Sequence, residues 1–187
     1  VIMYKNIFKR LLDIFFSLLL IILLLPLMII VGVMSKIYTG NVIYKQPRDG
    51  KHKKSFMMYK FKTMLDIDGD YKARTPIVMR KVRCLGLDEL PQLFNILKGD
   101  MSFIGPRPFI TGEVLPKNPD KIIYTVSPGL ISLAISKGRR NITHEERLKY
   151  DVIYVKEISF KLDVKIIFRT IYILLKQNFR GELWTKY

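Results

Sequence analysis

The stretch Ile14-Phe-Phe-Ser-Leu-Leu-Leu-Ile-Ile-Leu-Leu-Leu-Pro-Leu-Met-Ile-Ile-Val-Gly-Val-Met-Ser35 decides the fold. It contains 22 residues and no charged side chain. As a straight helix it would be roughly 33 Å long, which matches the hydrocarbon core of a bilayer. A buried core helix would carry a polar stripe, and a secretory signal would be shorter and end at a small-residue cleavage site. The stretch therefore predicts a helix in contact with lipid.

The topology of this helix stays open on the residues alone. Pro26 lies just past its middle, where a proline removes a backbone hydrogen bond and kinks or breaks a helix. Basic residues flank the stretch on both sides: Lys5, Lys9 and Arg10 precede it, and Lys36, Lys45, Arg48, Lys51, Lys53 and Lys54 follow it. Because positive residues stay on the cytoplasmic side, a re-entrant helix that turns back at Pro26 fits these flanks. A kinked helix that crosses the membrane once is the alternative.

The composition narrows the class of function. The chain has 187 residues, a formal net charge of +16 and 49% hydrophobic residues. This combination excludes a disordered chain and indicates a membrane surface or a polyanionic partner. The single cysteine, Cys84, excludes an intramolecular disulfide, and with His52 and His144 it shows no zinc-site spacing. We expect residues 1–38 to form the membrane helix and residues 39–187 to form one membrane-associated cytoplasmic domain.

Local patterns beyond the membrane helix predict an α+β fold that is mainly α. The β-prone runs Asn41–Tyr44 and Ser55–Tyr59 surround the turn residues Pro47 and Asp49-Gly50, which predicts a hairpin over residues 41–62. A loop is expected over Leu65–Pro76, followed by an amphipathic helix over Leu87–Leu97 that is closed by Gly99. An extended segment is expected over Met101–Pro108. Two helices follow: one with a Thr143 and Glu146 capping box that runs to about Lys156, and one over Leu162–Gln177. The last helix suits the membrane interface as well as an ordinary core.

Asp88 and Glu89 are adjacent carboxylates at the start of the Leu87–Leu97 helix, off the apolar face expected for Leu87, Leu90, Phe94 and Leu97. Asp88 shares a polar face with Gln92 and Asn95 at helical spacing. A carboxylate can attack phosphorus as a nucleophile, and a second one beside it can hold Mg²⁺, which prefers oxygen ligands and bridges phosphates. The alternative is a pair of solvated acidic residues that favour the helix start.

Arg107 lies between Pro106 and Pro108. The two prolines restrict the backbone on both sides, and a guanidinium is the preferred fork for phosphate. A rigid surface turn is the alternative reading. Four other cations are candidates for the same anionic ligand: Lys60 and Lys62, which share one face of an extended segment, Arg83, and Arg139. Arg83 and Arg139, each taken alone, are also consistent with solvated surface charges.

Taken together, these residues resemble the bacterial sugar transferase family, the monotopic phosphoglycosyl transferases. The features that carry the resemblance are the basic N-terminus with its proline-interrupted apolar run, Tyr59–Met64, Leu87–Pro108, Pro128-Gly129, Lys137–Arg139 and Tyr150–Lys156. The resemblance covers nearly the whole chain, and the Leu87–Pro108 stretch is highly specific.

The resemblance implies transfer of a phosphosugar from a UDP-sugar to polyprenyl (undecaprenyl) phosphate, with release of UMP, as the initiating step of bacterial glycoconjugate assembly. It implies that Asp88 attacks the β-phosphorus and forms a covalent phosphosugar intermediate. It further implies that Glu89 and Asp88 bind Mg²⁺ and that Arg107 binds a phosphate. The remaining implied contacts of the nucleotide-sugar are Arg83, Arg139, Lys60 and Lys62.

The resemblance also implies a location. It favours the re-entrant helix broken at Pro26, on the cytoplasmic face of the bacterial inner membrane, with membrane phospholipid as a partner. Pro106 and Pro108 take structural roles together with Pro26. We expect no nucleic-acid partner, and the resemblance leaves open whether the protein forms a homodimer. We also expect the chain to correspond to the minimal catalytic unit of larger family members.

Three residues depart from the pattern of the family. Leu25 stands before Pro26 where the family commonly has serine, and Leu133 and Ile135 replace a tryptophan and a glutamine. If the latter segment lines the sugar pocket, an unusual sugar follows. Two competing functions remain: a membrane-anchored module whose basic face binds nucleic acid or anionic lipid, and a catalytically inactive scaffold. The first explains the charge but not Asp88-Glu89 beside Arg107.

Overall fold

The computed structural model describes residues 3–112, 120–137 and 143–179. Its longest element is helix α1, Lys9–Thr39, which follows a π-helical turn at Tyr4–Phe8. The helix ends at Gly40, whose φ of 77° is left-handed and suits glycine. Helix α1 is the one helix in the described part of the chain that is long and apolar enough to cross a membrane.

Pro26 lies inside helix α1, and the residues on both sides of it belong to the same helix. The expected break of the helix at Pro26 is therefore not confirmed. A proline removes one backbone donor, while the other hydrogen bonds of a 31-residue helix remain available to hold it together. The long apolar N-terminal helix itself is confirmed.

Helix α1 lies along the rest of the protein. Its buried residues follow one stripe at mostly helical spacing: Lys9, Asp13, Ser17, Met28, Val31, Gly32, Ser35 and Thr39. Leu20 and Ile21 pack against a core cluster that contains Leu93 and Ile96. The other faces remain open, and Leu23 is 68% exposed. One side of the helix thus packs on protein while the rest presents apolar side chains to the surroundings.

The N-terminal end of helix α1 is bonded to the same body that its middle packs against. Lys9 forms a buried ion pair with Asp163, far along the chain. The Asp13 carboxylate accepts hydrogen bonds from the Ser102 hydroxyl and the Phe103 amide, each at 3.1 Å. Arg10 adds two hydrogen bonds, to the carbonyl oxygens of Ile96 and Leu97. The polar start of the helix is therefore anchored in the domain that follows it.

The predicted hairpin is confirmed. Strand β1, Ile43–Asp49, pairs antiparallel with strand β2, Ser55–Phe61, and Asp49 faces Ser55 at the turn. Strand β1 runs through Pro47, beyond the β-prone run that the sequence indicated. A proline is tolerated on an edge strand, and the Pro47 carbonyl accepts a hydrogen bond from Thr111 on the other side.

Three short helices follow the hairpin. Helix α2, Tyr71–Arg74, lies within the segment expected as a loop, and helix α3 covers Ile77–Cys84. The expected helix over Leu87–Leu97 is divided into a 3₁₀ turn at Leu87–Glu89 and helix α4, Gln92–Lys98, which Gly99 closes as predicted. Because a 3₁₀ turn winds more tightly than an α-helix, the side chains that follow it lie on different faces than they would in one continuous α-helix.

The buried face of helix α4 differs from the predicted one as a result. Leu93 and Ile96 enter the core, whereas Phe94, which was expected on the apolar face, is 40% exposed. Asn95 is fully buried and is bonded to the backbone of Met57 and Tyr59 in strand β2. Asn95 thus ties the helix to the hairpin.

The C-terminal half completes the body. Strand β3, Ser102–Ile104, pairs parallel with strand β4, Gly129–Ile131. Helix α5, His144–Glu157, has the predicted Thr143–Glu146 capping box. Helix α6, Phe160–Phe179, buries Asp163 and Ile166, whereas Phe168 and Tyr172 are exposed. The expected mainly helical α+β architecture is confirmed at this level.

Candidate functional site

Asp88 lies at the junction between helices α3 and α4. Gly86, with a left-handed φ of 71°, turns the chain into the 3₁₀ segment that carries Asp88 and Glu89. Asp88 is buried at 5% exposure, whereas the Glu89 side chain is 39% exposed. Two adjacent carboxylates therefore occupy different environments, one enclosed and one open.

Burial, together with the negative charge of Glu89, raises the pKa of the Asp88 carboxyl to about 6. Lys60 and Arg83 act in the opposite direction, because nearby positive charges favour the ionised form. One carboxylate, that of Glu89, and two cations from separate elements, Lys60 and Arg83, therefore surround Asp88. A carboxyl group whose pKa is raised in this way is typical of a functional site.

An open cleft lies beside this pair. Its walls come from the hairpin, the start of helix α4 and the loops around strands β3 and β4: Arg48, Met58, Lys60, Glu89, Gln92, Arg107, Pro108, Gly129, Leu130, Ser132 and Ile135. The Lys60 Nζ donates to Glu89 Oε1 at 2.6 Å. The cleft therefore brings together a carboxylate and three cations on a partly apolar floor, which suits an anionic ligand with a neutral portion.

Arg107 projects from a turn that the fold holds tightly. Pro106 and Pro108 are buried on either side of the exposed Arg107. Pro106 follows Gly105, where a side chain would overlap the backbone of Ser127 and Gly129. Glu89 and Arg107 both line the cleft, so the structure brings these two predicted residues together.

The other predicted cations divide into three cases. Arg83 is close to Asp88, donates to the Thr63 hydroxyl at 3.0 Å, and lies over the Tyr71 ring. Lys62 is buried and pairs with Asp66, away from the residues that line the cleft. Arg139 falls outside the described residues.

Sequence reasoning missed Arg48, Gln92 and Ser132 as lining residues. Arg48 was assigned to the basic flank of the membrane helix, although the alternation of strand β1 continues to it. Its guanidinium donates to the Pro108 carbonyl at 3.1 Å and to Gln46 Oε1 at 2.6 Å. Gln92, which shares a polar face with Asp88 in the sequence pattern, is 3% exposed and lines the cleft.

The carboxylates of Asp88 and Glu89 suit a magnesium ion that is bound partly by the phosphates of a substrate. Within the described residues, no three His, Cys, Asp or Glu side chains form a group that would hold a metal alone. Mg²⁺ is commonly bound by one or two carboxylates together with substrate phosphates and water. The open Glu89 carboxylate in the cleft, next to Asp88, supplies that donor set.

The class of protein follows from comparison with known sequences. The profile of the bacterial sugar transferase family matches residues 4–177. The chain belongs to this family, and the resemblance inferred from the residues is confirmed.

Individual relatives agree with this assignment. The chain is 34% identical, over 91% of its length, to the undecaprenyl-phosphate galactose phosphotransferase of Salmonella typhimurium. It is 35% identical, over 89% of its length, to a UDP-glucose:undecaprenyl-phosphate glucose-1-phosphate transferase of Klebsiella pneumoniae. It spans about two fifths of those relatives, 41% and 40% of their respective lengths. It covers 83% of the exopolysaccharide production protein ExoY of Sinorhizobium fredii, at 32% identity over 87% of its own length.

Proposed function

We propose that this protein transfers a sugar-1-phosphate from a UDP-sugar to undecaprenyl phosphate and releases UMP. The observation that carries the proposal is the buried Asp88, with its raised pKa, beside a cleft lined by Glu89, Lys60 and Arg107. The names of the Salmonella and Klebsiella relatives supply the substrate classes.

In the first half-reaction, an oxygen of the ionised Asp88 carboxylate attacks the β-phosphorus of the UDP-sugar. A bond forms between this oxygen and phosphorus, the bond from the β-phosphorus to the bridging oxygen breaks, and UMP leaves with the electron pair. With a pKa of about 6, Asp88 is mostly ionised at neutral pH. The cations Lys60, Arg83 and Arg107 stabilise the negative charge that develops on the phosphate oxygens.

In the second half-reaction, a phosphate oxygen of undecaprenyl phosphate attacks the phosphorus of the phosphosugar bound to Asp88. The acyl–oxygen–phosphorus linkage breaks, the Asp88 carboxylate is regenerated, and the lipid diphosphosugar leaves. Each step displaces one oxygen from phosphorus by another, so the covalent route divides one difficult transfer into two.

The proposed cofactor is Mg²⁺, which Glu89 would hold with Asp88 nearby. When bound, it would neutralise charge on the diphosphate of the donor. The role of the protein is separate from that of the metal: Arg107 fixes one end of the phosphate chain, and Lys60 holds Glu89 in the wall of the cleft.

We place the protein on the cytoplasmic face of the bacterial inner membrane, with both ends of helix α1 on the same side of the bilayer. The anchoring of Lys9 and Asp13 to Asp163 and Ser102 supports this, because both residues at the start of the helix contact the domain that follows its end. Undecaprenyl phosphate resides in that membrane, so the acceptor approaches from lipid.

The test is UMP release by the full chain in nanodiscs, with Mg²⁺, undecaprenyl phosphate and a panel of UDP-sugars. We expect release with at least one donor, and loss by roughly 10³-fold or more in Asp88→Asn. Asp68→Asn is the matched control, because this exposed aspartate lies in a surface loop away from the cleft.

Intact-mass analysis without the lipid acceptor tests the covalent step. The wild-type protein incubated with its donor is expected to gain the mass of one sugar phosphate, and Asp88→Asn is expected to gain none. Full UMP release by Asp88→Asn, with the adduct still present, would contradict the role given to Asp88.

A further inference from the structure

The hairpin wall of the cleft carries two cations, Arg48 and Lys60. Arg48 lies on strand β1 and Lys60 on strand β2, and both line the cleft. In the antiparallel register Arg48 faces Phe56, four residues before Lys60, so the two cations share one face of the sheet. Because a strand advances about 3.3 Å per residue, their backbones lie roughly 13 Å apart along the sheet. The hairpin therefore presents two positive side chains at separate points of one wall.

Each of these cations holds a different part of the site. Lys60 Nζ donates to Glu89 Oε1 at 2.6 Å. Arg48 Nη1 donates to the Pro108 carbonyl oxygen at 3.1 Å, directly after Arg107 in the chain. One face of the hairpin is thus bonded both to the acidic pair and to the turn that carries Arg107.

Arg48 is itself oriented by a neighbour on its own strand. Its Nη2 donates to Gln46 Oε1 at 2.6 Å, and the two residues share one face of strand β1 because they are two positions apart. A guanidinium is planar, so bonds at two of its nitrogens fix its direction, which a lysine ammonium cannot match. The Arg48 side chain therefore relates the position of the strand to that of the Pro108 carbonyl.

The turn also has backbone hydrogen bonds that do not involve the Arg48 side chain. They join the Pro106 carbonyl to the Gly129 amide at 2.8 Å and the Phe109 carbonyl to the Asp49 amide at 2.9 Å. Both bonds remain available when the Arg48 side chain is replaced. Such a variant removes the support of one carbonyl and leaves the backbone pairing of the turn in place.

We infer that Arg48 is a positioning residue: it holds the Pro108 carbonyl, so that the Arg107 guanidinium keeps a set place in the cleft and binds the diphosphate of the donor. Because Lys60 on the same sheet face holds Glu89, the hairpin fixes the cation and the carboxylate relative to each other. The identity of the ligand rests on the proposed function, whereas the two hydrogen bonds do not.

Amide hydrogen exchange on the ligand-free full chain tests the hold on the turn. Arg48→Met keeps much of the length of the side chain and removes its donors. We expect it to accelerate exchange in a peptide that covers residues 107–112 by roughly threefold or more, because the turn opens more often when one of its bonds is lost. Equal exchange in the wild type and Arg48→Met would overturn the inference.

A double-mutant cycle with UDP as the probe tests whether Arg48 acts through Arg107. Arg107→Ala is expected to weaken UDP binding by roughly tenfold to a hundredfold, the range for a hydrogen bond to a charged group. Arg48→Met is expected to weaken it by roughly fivefold or more through misplacement of Arg107, and the double variant no more than Arg107→Ala alone. Additive losses would mean that Arg48 acts independently of Arg107, and they would contradict the inference.

Two further variants separate positioning from general damage to the fold. Arg48→Lys keeps one positive donor and is expected to recover part of the UDP affinity, but not all, because it lacks the planar fork. Gln46→Leu removes the acceptor that orients Arg48. It is expected to weaken UDP binding by roughly twofold to fivefold in the wild type and to have no effect in Arg48→Met. An equal loss in both backgrounds would contradict a role of Gln46 exerted through Arg48.

Lys45→Met is the matched control for the loss of a positive charge. Lys45 belongs to the same strand, is exposed, lies over the Tyr59 ring and is outside the set of residues that line the cleft. We expect its exchange in residues 107–112 and its UDP affinity to stay close to those of the wild type. A loss of affinity equal to that of Arg48→Met would mean that net charge, and not the position of the turn, governs binding.

The two proposals fail separately. Coupled losses of UDP affinity, together with absence of UMP release for every donor, would sustain the positioning role and reject the transferase. UMP release by the wild type with unchanged exchange and additive losses would sustain the transferase and reject the positioning role.

Discussion

Asp88 is kept in a place that disfavours its charged form. It is 5% exposed, and both burial and Glu89 raise its pKa to about 6. The nearby cations Lys60 and Arg83 offset part of this effect. A group whose folded pKa lies above its unfolded value of 3.8 destabilises the fold once it ionises. The residue that the chemistry needs is therefore a source of instability.

Asp88→Asn is expected to raise stability while it removes activity. The penalty of the wild type is small below about pH 4, grows as the pH rises from about 4 to about 6, and is nearly complete at pH 7, where a pKa raised from 3.8 to about 6 corresponds to about 2–3 kcal/mol. Thermal unfolding in nanodiscs at pH 4 and pH 7 measures it. The variant should gain only at pH 7, and an equal gain at both values would contradict the assigned pKa.

Ile135 occupies the place where the sequence departs from the family, and it lines the cleft together with Leu130 and Met58. Leu133, the other departing residue, enters the core at 6% exposure. We expect Ile135→Gln to alter the ratio of kcat/KM between UDP-sugars by roughly tenfold, because a polar group replaces an apolar wall. Competition assays with paired donors measure the ratio, and Ile77→Gln, which changes an exposed side chain of helix α3, serves as the control.

The sequence singled out candidate residues better than it indicated how they are held. Asp88, Glu89 and Arg107 were singled out because their residue types and neighbours restrict the possibilities strongly, and the structure places Glu89 and Arg107 in one cleft beside Asp88. The hydrogen bond from Lys60 to Glu89 joins residues 29 positions apart in the chain, and no local pattern specifies such a pairing. Lys62 was grouped with Lys60 by strand alternation, but the strand ends at Phe61 and Lys62 turns to Asp66.

At the scale of elements, one buried carboxylate joins three helices. Asp163 of helix α6 accepts hydrogen bonds from Tyr4 and Lys9 at the start of the chain and from Tyr154 of helix α5. The single hydrogen of the Tyr154 hydroxyl is shared with the Ile104 carbonyl, 3.1 Å away at the end of strand β3. This cluster fixes the start of helix α1 to the body that carries the cleft.

Lys9→Met is expected to destabilise the protein by about 3–5 kcal/mol, because it leaves the buried Asp163 charge without its cation. Lys9→Arg is expected to recover part of this loss. Chemical denaturation in detergent measures both, and Lys5→Met, which changes a neighbouring lysine that forms no ion pair among the described residues, is the control. A loss below 1 kcal/mol for Lys9→Met would show that the pair is solvated.

The elements themselves were predictable where local chemistry decides them. The hairpin follows from its turn residues, helix α5 from its capping box, and the end of helix α4 from Gly99. The division of Leu87–Leu97 into a 3₁₀ turn and a helix was not foreseen, because Pro91 is compatible with the first turn of one continuous helix as well as with the start of a shorter one. Its consequence was large, since it moved Phe94 out of the core and Leu93 into it.

At the scale of the molecule, the exposed apolar surface is concentrated on two helices. On helix α1 the most exposed large side chains include Phe15, Ile22, Leu23 and Ile37, and on helix α6 they include Phe168 and Tyr172. Exposed apolar side chains gathered on one surface mark a lipid or protein contact. One stripe of helix α1 packs against the part of the protein that carries the cleft. Only the opposite face of the helix can therefore contact lipid.

This arrangement predicts that both ends of helix α1 lie on the same side of the membrane. Single-cysteine variants Lys5→Cys and Lys54→Cys, in a Cys84→Ser background, place labels before the helix and at the tip of the hairpin. An impermeant maleimide should modify both in inverted membrane vesicles and neither in intact spheroplasts. A helix that crossed the bilayer would place Lys5→Cys on the opposite side from Lys54→Cys. It would also have to break the Lys9–Asp163 pair and the Asp13–Ser102 hydrogen bond, which join the start of the helix to the body. Labelling of the two sites from opposite sides would therefore overturn both the topology and the anchoring that supports it.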